Sequence, residues 1–178
     1  MPVDPTNRLL LLLLPERLEA FDQRPVAEDL MKAPGVVAVD PPRTPYGVLA
    51  RIPDAVGVSI AIKQAKRLRR RLPGEPRAIA IFHPAQYPLA RGLLAQLPEC
   101  ELWYGRLGRP EDEAADERLR RRLNELHVLA AERSSLTFVH SEELGREEAM
   151  AGRKAVMVDP GADHGPLWDR IASLRVGA

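Results

Sequence analysis

The chain has one cysteine, Cys100, so no disulfide can form within it, and a reducing cytosol is the compartment that fits. Long apolar runs are missing too. Leu9 to Leu14 is six leucines between Pro5 and Pro15, short of a signal core and far short of a membrane span, with no small-residue cleavage site after it. None of the twelve glycines falls into G-x-G-x-x-G or G-x-x-x-x-G-K-[ST], which argues against a dehydrogenase and against an NTPase. No Asp-x-Asp and no Cys/His ligand spacing occurs, so neither a metal nor a cofactor is expected. Charge of one sign is lacking as well. The balance of 26 basic and 25 acidic residues leaves +1, and no global field calls for nucleic acid.

What is present is a 45% apolar chain of 178 residues, enough for one domain over 1–178 with a real core. Its organising stretch runs from Arg133 to Asp163. Leu136 to His140 is a short apolar run suited to a buried parallel strand. Ser141 caps a helix, with Glu142 and Glu143 at the positive end of its dipole, and Gly152 stops it. Ala155 to Val158 is a second strand, followed by the turn Asp159-Pro160-Gly161. Loops at the carboxyl ends of such strands are where parallel sheets place ligands, here His140 to Glu142 and Asp159 to His164.

Upstream, Arg8 to Leu14 reads as a first strand, with Pro15 to Arg24 a loop at its carboxyl end carrying Glu16, Arg17, Asp22 and Arg24. Val26 to Lys32 reads as helix, Val36 to Val39 as strand, and the Pro/Gly-rich span Arg43 to Pro53 as irregular loop. Ala61, Ile62, Ala65, Leu68 and Leu72 recur at helical spacing, with Lys63, Lys66, Arg67, Arg69, Arg70 and Arg71 between them. Arg77 to His83 is a strand, Tyr87 to Leu97 a helix, Cys100 to Tyr104 a strand and Gly105 to Pro110 a loop. Glu111 to Glu132 is the longest helix, and Pro166 to Leu174 a terminal helix that covers the sheet. Strands alternating with helices predict an α/β, doubly wound parallel sheet in three layers.

Several residues invite chemistry. His83 ends a strand at the ligand-facing edge, where Pro84 stops the strand, so it is a candidate hydrogen-bond donor or general base toward a hydroxyl. Tyr104 ends the next strand and lines the same crevice, or else packs with Trp103. His127 and His140 read as half-buried and core residues. Gly57-Val58-Ser59-Ile60-Ala61 is one residue short of a nucleophile elbow, giving a serine hydrolase at Ser59 as a minor reading beside a plain helix cap. The basic face with Lys63, Lys66, Arg67 and Arg70 is a solvated surface or, as its functional alternative, a peripheral contact with anionic lipid at the inner membrane face.

The order of these pieces resembles a known family. LHVLAAERSSLTFVHSEELGREEAMAGRKAVMVDPGAD is similar to the part of retaining GT-B glycosyltransferases, family 4-like, that runs from an acidic helix through S-x-x-L to V-P-N-G-V-D. Ser141 and Leu144 match the first motif, and Val158, Gly161 and Asp163 the second. QRPVAEDLMKAPGVVAVDPP and AIAIFHPAQYPLARGLLAQLPECELWY resemble the family's first helix and its second, fourth and fifth strands. Ser135 stands where an acidic residue is usual, Gly105-Arg106-Leu107-Gly108 replaces an aspartate-rich loop, and Pro160 replaces Asn. The resemblance implies a single Rossmann-like lobe, the acceptor side, with the donor-binding half absent from this chain. It implies a sugar or lipid-linked acceptor, a donor-binding C-terminal-type domain or separate chain as partner, His83 as catalytic residue, and Glu16, Arg24, Tyr104, Ser141, Glu142, Gly161 and Asp163 as substrate contacts. The rival expectation is a standalone, non-catalytic binding module on the same fold.

Overall fold

The computed structural model describes residues 10–42, 46–52, 54–72, 74–110, 112, 114–158 and 165–176. Six strands form one sheet in the order β2-β1-β3-β4-β5-β6, every neighbouring pair parallel. They are β1 (Leu10–Leu13), β2 (Val36–Val39), β3 (Ala78–Ile81), β4 (Glu101–Arg106), β5 (Leu136–Val139) and β6 (Ala155–Met157). Seven helices accompany them: α1 (Arg24–Met31), α2 (Tyr46–Arg51), α3 (Asp54–Arg69), α4 (Tyr87–Leu94), α5 (Glu117–Arg133), α6 (Glu142–Met150) and α7 (Gly165–Val176). This is a Rossmann-like α/β fold with helices on both faces of the sheet.

The unbroken leucine run of β1 makes sense once both of its faces are covered. Leu11 and Leu13 join Ile79, Ile81, Leu102 and Tyr104 in a core under α2 to α5. Leu10, Leu12 and Leu14 join Ala78, Ala80, Phe82 and Trp103 in a second core under α1 and α7. The period-two alternation of a strand thus feeds two cores, and each buried Leu or Ile contributes about 1.5–3 kcal/mol. Gly105 is fixed by this packing. A Cβ there would meet the Phe138 ring at 2.6 Å and Phe82 at 2.9 Å.

Element boundaries depart from the sequence reading in four places. Residues 46–51 form a helix where the Pro/Gly content predicts loop, because Tyr46 and Ala50 bury against the core. The long helix starts at Glu117, capped by Asp116, whose carboxylate accepts from the Leu119 amide at 2.8 Å. Strand β4 runs on through Gly105 and Arg106, since these pair with Phe138 and Val139. Arg24, placed in a loop by sequence, opens α1 instead. Ser141 caps α6 as expected, and Gly152 follows it at φ +73°, a left-handed conformation that favours glycine.

Candidate functional site

All six strands run the same way, so the segments after β1, β3, β4 and β5 emerge on one edge. Strand order reverses between β1 and β3: the chain leaves β1 toward β2 on one side and, from β3 onward, builds β4 to β6 on the other. Open parallel sheets bind ligands at the carboxyl edge beside such a switch. Leu13 and Ile81 are register partners there. Glu16 follows the first and His83 the second, so two predicted site residues share the switch.

The switch is held by one glutamine. The Gln86 side-chain nitrogen donates to the Leu13 carbonyl at 2.7 Å, tying the β3–α4 junction to β1. Its oxygen accepts from the backbone amides of Phe82 and His83 at 2.8 and 2.9 Å. His83 completes a capping box, Nδ1 accepting from the Ala85 amide at 3.1 Å at the head of the 3-10 turn Pro84–Gln86. Since Nδ1 is an acceptor, a neutral ring must carry its proton on Nε2. Burial pushes the His83 pKa down to about 4, which keeps the ring neutral at pH 7. Nε2 has no partner among the described residues. His83 is therefore a pre-oriented hydrogen-bond donor. Nδ1, the ring's accepting nitrogen, is engaged by the Ala85 amide, so Nε2 is the nitrogen left to face a ligand.

Tyr104 departs from its predicted place. Its ring is buried and its hydroxyl lies 3.0 Å from His127 Nδ1, under α5 and away from the rim. His127, half-buried by expectation, is buried outright. It adjoins an ionic cluster that sequence reasoning missed. Glu148, with no exposed surface, is 2.8 Å from Arg106 Nη1 and 2.5 Å from Arg153 Nε. Arg106 also meets Glu147 at 2.7 Å, and Arg109 pairs with Glu143 and Glu147. Burial alone would raise the Glu148 pKa, but Arg153 and Arg106 outweigh it and hold the carboxyl below its usual range. Burial first, and then the Arg106 charge, depress His127. The cluster knits β4, α5 and α6 together behind the rim. One signal pointed to it: Glu148 sits four residues after buried Leu144, on the same row of α6.

Other predicted residues lie at the rim but are partly engaged. Ser141 accepts from the Leu144 amide at 3.4 Å, and exposed Glu142 pairs with Arg146 at 2.8 Å. Arg24 is paired with Glu28 at 2.6 Å on α1. Glu16 is exposed in the turn after β1, and slight burial, then the nearby Asp22 charge, raise its pKa. Gly161 and Asp163 lie outside the described residues. Half-buried His140 follows β5, its Nδ1 shielded and without a partner. A groove of about 790 Å³ opens between α2 and the first turns of α5, lined by Arg51, Ile52, Arg118, Leu119 and Arg122 among others. Ser59 sits inside α3 and exposed, with no strand-to-helix turn at it, so the elbow that a serine nucleophile requires is not formed. At the opposite edge, Glu101 binds Arg170 of α7 at 2.6 Å and the Trp103 indole at 3.0 Å.

This geometry is a Rossmann-like α/β sheet with a β1–β3 switch at its carboxyl edge. No model of a known protein family matches the sequence, and no curated protein is similar to it. Solved structures are similar in fold. One is S. aureus MnaA with UDP, at 12% identity and a TM-score of 0.59, matched over 84% of this chain and 43% of that one. Another is UDP-N-acetylglucosamine 2-epimerase from Rickettsia bellii, at 15% identity and a TM-score of 0.54, over 96% of this chain and 49% of that one. Both are GT-B-like, so the likeness supports a GT-B-type Rossmann fold and not a glycosyltransferase family in particular. The chain spans less than half the length of either.

Proposed function

We propose that this chain is the acceptor-side lobe of a GT-B-type sugar-processing enzyme, one wall of a cleft whose other wall is a donor-binding domain or chain. The observation that carries the reading is the His83 donor fixed at the β1–β3 switch, where a sugar hydroxyl or phosphate oxygen can accept from Nε2. The lack of G-x-G-x-x-G and G-x-x-x-x-G-K-[ST] in the sequence fits the same reading, because those motifs supply the usual backbone cradle for a diphosphate. Sugar transfer needs donor and acceptor held together away from water, and one wall alone does not do that.

Titrating the isotope-labelled chain with simple glycosides and with UDP-N-acetylglucosamine tests the proposal. The expected result is weak, millimolar shifts centred on Phe82 to Tyr87 and the turn at Glu16 with glycosides, and no tight nucleotide binding. Micromolar binding of the sugar nucleotide by this chain alone would contradict the lobe assignment, and glycoside shifts confined to other edges would contradict the site.

One observation favours the rival reading of a standalone binding module. Among the described residues, the segments just after β1, β3, β4 and β5 expose no large apolar side chain, although a lobe that meets a permanent partner should show an apolar patch. A polar rim also suits a wall that opens and closes, since interfaces between mobile domains are polar.

A further inference from the structure

Helix α3 carries an outer face left exposed among the described residues. Its inner side is buried through Gly57, Ala61 and Ala65. On the outer side, Val56, Val58 and Ile62 are 51%, 41% and 41% exposed. Val58, Ile62 and Lys66 follow one another at four-residue spacing, so they form one row along the helix. Beside that row stand Lys63, Arg67 and Arg70, with Arg71 at the helix end, all exposed. Arg69 pairs with Glu75. The other five cations, Lys63, Lys66, Arg67, Arg70 and Arg71, have no acidic partner among the described residues. From Ala55 to Leu72 the sequence contains no Asp or Glu, although the whole chain is nearly neutral. The charge on this face is therefore local.

We propose that the outer face of α3 docks the folded lobe on an anionic lipid surface. Exposed valine and isoleucine beside unpaired lysine and arginine are what an interfacial helix presents: apolar side chains enter the headgroup boundary while cations meet lipid phosphates and carboxylates. Nucleic acid would satisfy the cations but would leave the Val58–Ile62 row facing water. The inner face stays packed on the lobe, so docking needs no unfolding. Among the described residues no helix is long and apolar enough to span a membrane. Docking is independent of the sugar-processing reading, and either can fail alone.

The test is co-sedimentation of the full chain with vesicles of phosphatidylcholine alone and of phosphatidylcholine with one-third phosphatidylserine. The chain should pellet only with the anionic vesicles, and less so as salt rises. Each cation reversed should weaken partition about fivefold, so the Lys63→Glu, Lys66→Glu, Arg67→Glu, Arg70→Glu variant should remain in solution. Val58→Gln with Ile62→Gln should lose about tenfold while leaving the charge intact. All six positions are exposed, and unchanged circular dichroism and melting will show that the variants fold. Equal pelleting with both vesicle types, or pelleting that survives charge reversal, would overturn the proposal. So would tighter retention of a single-stranded oligonucleotide than of anionic vesicles, together with indifference to the Val58 and Ile62 changes.

Discussion

Two parts of the same sheet edge are held in opposite ways. At the β1–β3 switch the fixing is neutral: one glutamine ties Leu13, Phe82 and His83 together through their backbones, and a histidine caps the next turn with one nitrogen while the other is left over. At β4, α5 and α6 it is ionic, with arginine and glutamate engaged against one another and Glu148 fully enclosed. On the proposed function, the difference separates support from ligand contact. A buried carboxylate held by two arginines has little to offer a ligand, whereas a histidine Nε2 donor at the sheet edge does. Perturbed titration alone would have singled out both His127 and His83. Only the hydrogen-bond inventory divides them.

Removing the enclosed carboxylate should break the ionic half most severely. Glu148→Ala takes the enclosed carboxylate from both Arg106 and Arg153 and leaves Arg106 with Glu147, and a loss of about 3–5 kcal/mol is expected in denaturant unfolding. Gln86→Ala attacks the neutral half by orphaning two backbone amides and the Leu13 carbonyl; about 2–4 kcal/mol should be lost by the same measurement. Gly105→Ala, which crowds Phe138 and Phe82 between the two halves, should cost about 1–3 kcal/mol. His83→Ala should cost about 1 kcal/mol or less, as a cap does, yet abolish glycoside-induced shifts at Phe82 to Tyr87. Equal losses of stability and binding would make that histidine a structural residue.

Acid sharpens the contrast further. His83 titrates near 4 in the fold against about 6.5 when unfolded, so between those values the unfolded chain binds the extra proton. The stability His83 contributes is complete above pH 6.5 and is lost as pH falls toward 4. His127 is depressed in the same direction. Before that window closes, as pH falls through the ordinary carboxylate value of about 4.5, the stability from Glu147 and Glu148, both held below their usual range, begins to be lost as well. Unfolding free energy should therefore decline steadily from neutral pH downward, and His83→Gln should flatten the upper part of that decline.

Much of this was legible in the sequence. The apolar runs of β1, β3 and β5, the Ser141 cap and the Gly152 stop all follow from local pattern, and their alternation carries the parallel sheet. The place of His83 was legible only approximately: Pro84 marks the end of the apolar run, but the strand closes at Ile81 and His83 caps the 3-10 turn that follows. Its role was not, since the tautomer depends on Ala85 and Gln86; the spacing His83-x-x-Gln86 has the form of a capping box and was the available signal. Helix α2 was hidden because Pro45, Gly47 and Pro53 speak for loop, and only the burial of Tyr46 overrides them. Arg106, Glu148 and Arg153 come from separate stretches that only the fold brings together, and the spacing of Glu148 from Leu144 was the one local sign. Tyr104 was misplaced for the same reason: the alternation that sends Trp103 to one core sends Tyr104 to the other.

The central claim is that His83 stands neutral at the switch with its proton on Nε2, and nitrogen-15 correlation spectra of the imidazole across pH test it most directly. The account predicts the Nε2–H tautomer at pH 7 and a ring that stays neutral until the pH approaches 4. A ring protonated on Nδ1, or one that titrates near the ordinary 6.5, would contradict it.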